Sequence, residues 1–191
     1  DTGYVEVANN NIVDMDSTES FSISLLVKTD PVTSTAAQEL ILKGSFSSTN
    51  GIEGHDGKRY QLEFKDGQLR VSVDDDIVKS QLDVDITGFY PVNQWSHVVG
   101  VRDLVKDSLF LYLNGDLIGS LFDGTDTDIS NSLPLLIGSS FDGADNLNGQ
   151  MDDLRIYDHA LSPDEVKALY GSYDIIINSI KYEPVGATPA T

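Results

Sequence analysis

The sequence predicts an all-β fold, an antiparallel two-sheet β-sandwich with one short C-terminal helix. Three observations predict it. Most apolar segments alternate apolar and polar residues with a period of two, as half-buried strands do. Two dipeptides between such segments, Asp66-Gly67 and Asn114-Gly115, are the residues preferred in two-residue hairpin turns. A single segment near the C-terminus carries helical capping signals instead.

Strand-like segments follow one another at short intervals. They cover residues 1–7, 21–29, 38–44, 58–75, 95–103, 108–122, 133–140 and 148–158, with the two hairpins inside 58–75 and 108–122. In the first hairpin the side chains predicted to face the core are Tyr60, Leu62, Phe64, Leu69, Val71 and Val73. The acidic runs 74–76 and 83–85 are interpreted as solvated turns, because Asp favours turns.

The predicted helix lies in LSPDEVKALYG, residues 161–171. Ser162 is the expected N-cap, followed by Pro163 at the first helical position and Glu165 to complete a capping box. Gly171 suits the left-handed position that ends a helix. The apolar side of the helix consists of Val166, Leu169 and Tyr170.

After the helix, residues 173–185 read as one more strand. The small, Pro- and Thr-containing end of the chain resembles a linker, so we expect one domain over residues 1–183 and a linker-like tail over 184–191. The N-terminus shows no signal-peptide pattern, and we expect a mature or excised part of a larger protein.

Composition limits the function. The chain has 191 residues, and its 31 acidic against 12 basic residues give a formal net charge of −19. Such a surface repels nucleic acid and anionic membranes, because phosphate binding needs clustered Lys and Arg. The absence of cysteine excludes disulfides, thiolate nucleophiles and Cys-ligated metal centres. No apolar run approaches the roughly 18 residues of a membrane span, so we expect no membrane insertion.

The segment LNGQMDDLRIYDHALSPDEVKALYG, residues 147–171, resembles the closing segment of laminin-G-like, concanavalin A-like jelly-roll domains. QWSHVVGVRD and LYLNG, within residues 94–115, resemble the central motif of these domains, and ESFSISLLVKT and LILKG resemble two earlier strands. The resemblance covers about residues 1–173. It implies two curved antiparallel sheets, one of them concave. Such domains serve as carbohydrate-binding modules of secreted polysaccharide-degrading enzymes, as adhesin modules and as protein-recognition domains, so the site must decide the function.

We expect no catalysis in this domain. Related jelly-roll glycoside hydrolases use paired carboxylates, and their E-x-D-x-x-E strand motif is not found in this sequence. His97 is interpreted as a hydrogen-bonded core histidine, since it shares strand phase with Val99 and Val101. His55 is interpreted as an exposed loop residue.

The segment 141–153 is a candidate calcium site. Its oxygen-bearing side chains include Asp142, Asp145, Asn146 and Asp152, and hard oxygen donors at turn spacing suit Ca²⁺. The alternative is an ordinary turn, since Asp and Asn favour turns in any case. The resemblance implies a structural calcium that joins the first and last strands, with Asp152 as ligand and Asp1 or the backbone near Gly3 as partner.

A sugar-binding groove is predicted from strand phase. If Leu109, Leu111 and Leu113 fill the core, Phe110 and Tyr112 stand on the outer face of their sheet, where aromatic rings stack on sugars. The same argument turns five further side chains outward, and an eighth residue lies near a strand edge. These residues are Arg102, Arg70, Gln61, Glu63, Lys43 and, at the edge, Arg59. The alternative is that a loop or another domain covers this face.

The sequence thus predicts a non-catalytic carbohydrate-binding module of a larger secreted or cell-surface bacterial protein. Its partner would be a polysaccharide or cell-surface glycan. The cations of the predicted groove would favour an acidic or sulfated polysaccharide, whereas Glu63 argues against a purely cationic surface. The alternative is a calcium-dependent adhesin or a structural spacer domain, since high acidity and a calcium-type loop fit that function equally well.

Overall fold

The structure, a computed structural model, describes residues 3–16, 18–32, 36–44, 57–141, 143 and 145–178, with residues 174–178 described by their backbone alone. The described residues form eleven strands and one helix. Their bounds are β1 (Val5–Val7), β2 (Phe21–Thr29), β3 (Gln38–Gly44), β4 (Arg59–Lys65), β5 (Gln68–Asp74), β6 (Lys79–Asp85), β7 (Ser96–Asp103), β8 (Ser108–Leu113), β9 (Asp116–Phe122), β10 (Leu135–Ile137), β11 (Gly149–Tyr157) and α1 (Pro163–Asn178).

Two antiparallel sheets enclose one apolar core and confirm the predicted sandwich. The first sheet has six strands in the order β1-β10-β3-β4-β5-β6, and the second has five in the order β11-β2-β7-β8-β9. The inward residues predicted for the β4–β5 hairpin all belong to the core, as do Leu109, Leu111 and Leu113 of β8. Period-two alternation therefore assigned the faces of these three strands correctly.

Both predicted hairpin turns are confirmed. Asp66 and Gly67 have φ of 52° and 74°, and Asn114 and Gly115 have φ of 51° and 84°. Positive φ at both central residues defines the type I′ turn, whose twist matches that of the strands it joins.

Strand β6 was missed, because the acidic run 83–85 at its end was interpreted as solvated. The run 83–85 lies in this strand, where Asp83 pairs with Arg70 of β5, so its interpretation as a turn is wrong. In the run 74–76, Asp74 ends β5 and the next two residues begin the connection to β6, but all three are buried rather than solvated. The carboxylate of Asp75 accepts hydrogen bonds from the backbone N–H groups of Val78 at 2.6 Å and Thr127 at 3.0 Å, which offsets its burial.

Helix α1 begins as predicted but does not end at Gly171. The backbone N–H of Ser162 donates to Glu165 Oε2 at 2.8 Å, and the N–H of Glu165 donates to Ser162 Oγ at 3.3 Å, which confirms the capping box. The helix continues through Gly171 to Asn178, so the strand predicted from residue 173 onward is wrong up to that point. A glycine costs an established helix only about 1 kcal/mol and need not stop it.

Within the described chain, no helix combines the length and hydropathy needed to cross a bilayer.

In β7 the residues that face the core are the alternate set to the predicted one. Val98, Gly100 and Arg102 face the core, with Gly100 against Leu62 and Val71 of the other sheet. Val99 and Val101 face outward, where they pack with Leu161 and with Val166 of α1. Both phases of β7 are apolar because both faces are buried, so alternation could not decide between them.

Candidate functional site

The eight residues predicted to line one groove do not lie on one surface. Phe110 and Tyr112 are on the outer face of the five-stranded sheet, as predicted, but they lie beneath the C-terminal segment. Tyr112 is only 3% exposed, and it packs in one cluster with Leu161 and with Val166 of α1. The prediction that these rings stand in an open groove is therefore wrong for Tyr112, and Phe110 is only partly exposed beside the same helix.

Arg102 and Lys43 are directed inward, and both are fully buried. Arg102 Nε donates to Asp123 at 2.9 Å, and Lys43 Nζ donates to the carboxylate of Asp14 at 3.2 Å. Lys43 stands opposite Tyr60, a core residue, in the register of β3 and β4. The prediction of a cationic groove built on these two side chains is wrong, because both are used inside the sandwich as paired charges.

The other four predicted site residues lie on one side of one sheet. Gln61, Glu63, Arg70 and Arg59 lie on the outer side of the six-stranded sheet, opposite in phase to the inward residues of β4 and β5. Their neighbours in register extend the set. We define the polar face as Glu39, Arg59, Gln61, Glu63, Arg70, Ser72, Asp74, Gln81 and Asp83.

One row of the polar face consists of charged residues in register. Glu39, Glu63, Arg70 and Asp83 stand opposite one another across β3, β4, β5 and β6. Arg70 Nη1 donates to Glu63 at 2.7 Å, and its Nε donates to Asp83, so two carboxylates hold this guanidinium. Charge-assisted bonds of this kind fix an arginine more firmly than neutral ones.

Glu39 is a fully buried carboxyl in this row. Its Oε2 accepts from Gln61 at 3.2 Å, while Oε1 has no donor among the described residues. Burial, with the adjacent carboxylates of Glu63 and Asp145, raises the pKa of Glu39 well above its ordinary value, against the opposing effect of Arg59. The structure thus favours a protonated Glu39, which sequence reasoning missed because nothing in QELILKG marks this residue as buried.

The raised pKa gives a pH prediction. In the folded protein Glu39 holds its proton to higher pH than in the unfolded chain, so its contribution to stability falls as pH rises from about 4.5 through its folded pKa. We therefore expect Glu39→Gln to melt at a higher temperature than the wild type at pH 8, and the difference to disappear near pH 4.5.

Thermal melting of both proteins across this range is the measurement. His97 also titrates there, since burial lowers its pKa to about 4, but it is present in both proteins and cancels from the difference. Equal melting temperatures at pH 8 would contradict a protonated Glu39.

An aromatic cleft opens on the same side of the six-stranded sheet, at its β1–β10 margin. Glu6 of β1, Leu136 of β10, Leu42 of β3 and Gln61 of β4 are successive partners in register, which joins the cleft to the polar face. The cleft has a volume of about 270 Å³. It is lined by Tyr4, Glu6, Leu136, Ser139, Ser140, Phe141 and Gly143.

The rim and floor of the aromatic cleft differ in character. Tyr4 is 53% exposed and Phe141 43%, whereas Leu136, Ser139 and Ser140 are buried at the base. Exposed aromatics beside a carboxylate and hydroxyls are the combination that sequence reasoning sought at Phe110 and Tyr112. It was missed because Phe141 lies in a loop, where no periodicity identifies its orientation. The one available signal was the shared phase of Tyr4 and Glu6.

Tyr4 also borders a second cleft of about 530 Å³, between the edge strands β1 and β11. Its walls include Val5, Ile137, Met151 and Leu154, several of which pack against the core. Asp152 and Asp153 also line this cleft, but among its described residues Tyr4 is the single aromatic side chain and no hydroxyl of a Ser or Thr is present. The smaller aromatic cleft has two exposed rings beside a carboxylate and two seryl groups, so it is the better candidate site.

The predicted calcium ligands are only partly visible. Asp1 and Asp142 lie outside the described residues, as do His55 and the tail 184–191. Asp152 accepts a hydrogen bond from the N–H of Asp153 at 2.7 Å, and Asn146 donates to Gly143. Among the described residues, no three acidic or histidine side chains form a group that fits a metal ion. These residues alone do not make the site, and the calcium stays a prediction.

Comparison with known proteins agrees with this architecture. A family model described as the concanavalin A-like lectin/glucanases superfamily, Laminin_G_3, matches residues 1–167. No curated protein sequence matches the chain.

Several solved structures share the fold. The Ruminococcus gnavus IT-sialidase CBM40 is 22% identical with a TM-score of 0.63, over 89% of this chain and 99% of that one. The botulinum neurotoxin serotype D ligand-binding domain, in complex with N-acetylneuraminic acid, is 20% identical with a TM-score of 0.64, over 88% and 40%. The binding domain of Paraclostridial Mosquitocidal Protein 1 is 20% identical with a TM-score of 0.64, over 89% and 41%.

The chain thus spans about 40% of the toxin domains and nearly all of the sialidase domain. With its two-sheet structure and a family match over residues 1–167, the chain belongs to the laminin-G-like Laminin_G_3 family of the concanavalin A-like lectin/glucanase superfamily.

Proposed function

We propose that this domain is a non-catalytic carbohydrate-binding module of a larger secreted bacterial protein, and that it binds its glycan on the outer side of the six-stranded sheet. The observation that carries this proposal is the aromatic cleft. Tyr4 and Phe141 expose their rings beside the carboxylate of Glu6, and Ser139 and Ser140 line the base. A sugar offers apolar C–H faces to aromatic rings and hydroxyls to carboxylates and seryl groups, so the cleft matches both sides of its chemistry.

The comparisons support a binding function. One structural neighbour is a CBM40 domain of a sialidase, and another holds N-acetylneuraminic acid. Both are less than 25% identical to this chain, so their ligands suggest a carbohydrate as the class of ligand and do not identify it. Most of the adjacent polar face is buried, and its residues with exposed surface are Arg70, Gln81 and Asp83.

The carboxylates of the polar face favour binding over catalysis. A glycosidase needs two carboxyl groups that reach the scissile bond, one as acid and one as base or nucleophile. Glu39 and Glu63 are neighbours in register, yet both are buried, and Glu63 is already paired with Arg70. This pair does not reach a substrate in the described structure.

The binding proposal predicts the effect of losing one ring. Tyr4→Ala is expected to weaken glycan binding about tenfold, since a lost aromatic stack with its buried area amounts to about 1.4 kcal/mol. Phe141→Ala is expected to act in the same direction. A panel of neutral and acidic oligosaccharides, followed by titration calorimetry on those that bind, measures the effect.

Phe89→Ala is the matched control. Phe89 is 52% exposed, almost as much as Tyr4, but it lies in the β6–β7 connection and away from the aromatic cleft. It should leave affinity unchanged. Equal affinity of wild type and Tyr4→Ala for every bound glycan would move the site elsewhere.

A second candidate function, an adhesin or structural spacer domain, is favoured by strand β9. This strand is an edge of the five-stranded sheet, and it exposes Leu117, Leu121 and Phe122. An apolar edge strand of this kind is suited to pairing with another chain. Failure of every oligosaccharide in the panel would favour this function over glycan binding.

A further inference from the structure

We infer that the aromatic cleft selects uncharged glycans and discriminates against those that carry carboxylate or sulfate groups. This inference rests on the proposed function and names its ligand class. It reverses the acidic glycan predicted from the sequence. Three independent features of the described residues support it.

The first feature is the charge of the cleft itself. Among the described residues that line the cleft, Glu6 is the carboxylic acid, and none is a Lys, Arg or His. Glu6 is exposed at the rim, where its carboxylate accepts hydrogen bonds from sugar hydroxyls. The same carboxylate repels an anionic substituent held nearby, and no cation among the described lining residues compensates for it.

The second feature is the state of the arginines on the adjoining polar face. Arg70 already binds Glu63 and Asp83, and its side chain is only 14% exposed. An anionic sugar that captured Arg70 would leave Glu63, itself 5% exposed, as a buried carboxylate without its partner. Leaving a buried charge unpaired is strongly unfavourable, so Arg70 is not available as an anion receptor. Arg59 is fully buried and lies 3.7 Å from Asp74.

The third feature is the balance of charge along the row. Glu63 and Asp83 stand beside a single cation of the row, Arg70, so this part of the row holds more acid than base. A protonated Glu39 brings this row closer to neutrality but adds no positive charge. The formal net charge of −19 acts in the same direction at low ionic strength, and salt screens it over about 8 Å at physiological concentration.

The test uses pairs of ligands that differ only in charge. The probes are gluco-, manno- and galacto-oligosaccharides and the same oligomers oxidised at C6 to uronates. We expect at least one neutral oligomer to bind about tenfold or more tightly than its uronate at low salt. We expect this ratio to shrink as salt is raised, because only the uronate interaction is electrostatic.

Two variants assign the discrimination to the named residues. Glu6→Gln should reduce the ratio severalfold by improving uronate binding, whereas Asp116→Asn, which removes an exposed charge on β9, should leave it unchanged. Asp83→Asn should also improve uronate binding, because it releases one of the two carboxylates that hold Arg70. Both positions are exposed, so the variants are expected to fold.

The outcomes separate the two proposals. If uronates bind as tightly as their neutral partners or more tightly, the inference is overturned while the carbohydrate-binding function stands. An unchanged ratio in both Glu6→Gln and Asp83→Asn would also overturn the assignment to this cleft. If no oligosaccharide of either kind binds, the proposed function fails and the inference fails with it.

Discussion

Asp123→Ala is expected to lower the free energy of unfolding by about 3–5 kcal/mol, because it leaves Arg102 as a buried charge without its counter-ion. Arg102 and Asp123 are both fully buried, with Nε and Oδ2 2.9 Å apart. The remaining donors of the guanidinium go to Thr125 Oγ1 at 2.9 Å and to the carbonyl of Asp16 at 3.2 Å. Neither partner carries a charge at the contacting atom, so neither replaces the lost carboxylate.

Urea denaturation of the wild type and the variant measures the loss. The double variant Arg102→Met, Asp123→Leu is the matched control, since it removes the pair and leaves no charge behind. It should be clearly more stable than Asp123→Ala, because buried ion pairs contribute far less than the cost of breaking them. A loss below about 1 kcal/mol in Asp123→Ala would indicate that water reaches Arg102.

The environment of Arg102 shows why strand phase failed as a guide in β7. An arginine in an alternating strand is normally assigned to the solvent side. In this strand the side chain points inward near the end of the sandwich, where Asp123 and Thr125 from the connection after β9 provide partners. Those partners are about 20 residues away along the chain, so a local sequence pattern does not predict that they contact Arg102. The buried Lys43 likewise donates to Asp14 and Asn131, which are distant from it in sequence.

The fold was predictable because its signals are local. Hairpin dipeptides, alternation within β4, β5 and β8 and the capping box of α1 each act over a few residues, and the structure confirms them. The candidate site depends instead on which strands become neighbours. Tyr4 and Phe141 are far apart in sequence, and the β1–β10 pairing brings them to one cleft. Glu39 and Glu63 likewise become neighbours only through the register of β3 and β4.

Helix α1 is the element that covers the surface on which the sequence predicted the sugar-binding groove. Its capping box is local and predictable, but the face that it covers is set by tertiary packing. Ser22 Oγ donates to the carbonyl of His159 and accepts from the N–H of Leu161, which fixes the segment before the helix onto the five-stranded sheet. Val166 then lies in one cluster with Tyr112, and this part of the outer face is covered.

Tyr112→Ala is accordingly expected to destabilise the protein by about 3–5 kcal/mol, the usual cost of removing a large buried aromatic side chain. Tyr112 packs beside Val99 and Val101 of the neighbouring strand and under Leu161 and Val166, so truncation leaves a cavity between sheet and helix. Urea denaturation measures the loss. Tyr112→Phe, which keeps the ring, should remain within about 1 kcal/mol of the wild type.

The same variant separates stability from binding. Tyr112→Ala should lower the unfolding free energy and still bind glycan with wild-type affinity at a temperature where it is folded. Tyr4→Ala should lose affinity and keep its stability. The reason for the difference is that Tyr4 is 53% exposed and Tyr112 only 3%. The opposite result, lost binding with unchanged stability in Tyr112→Ala, would require an open outer face on the five-stranded sheet. Helix α1 would then have to leave that face in solution, because the ring cannot contact a sugar while Val166 and Leu161 cover it.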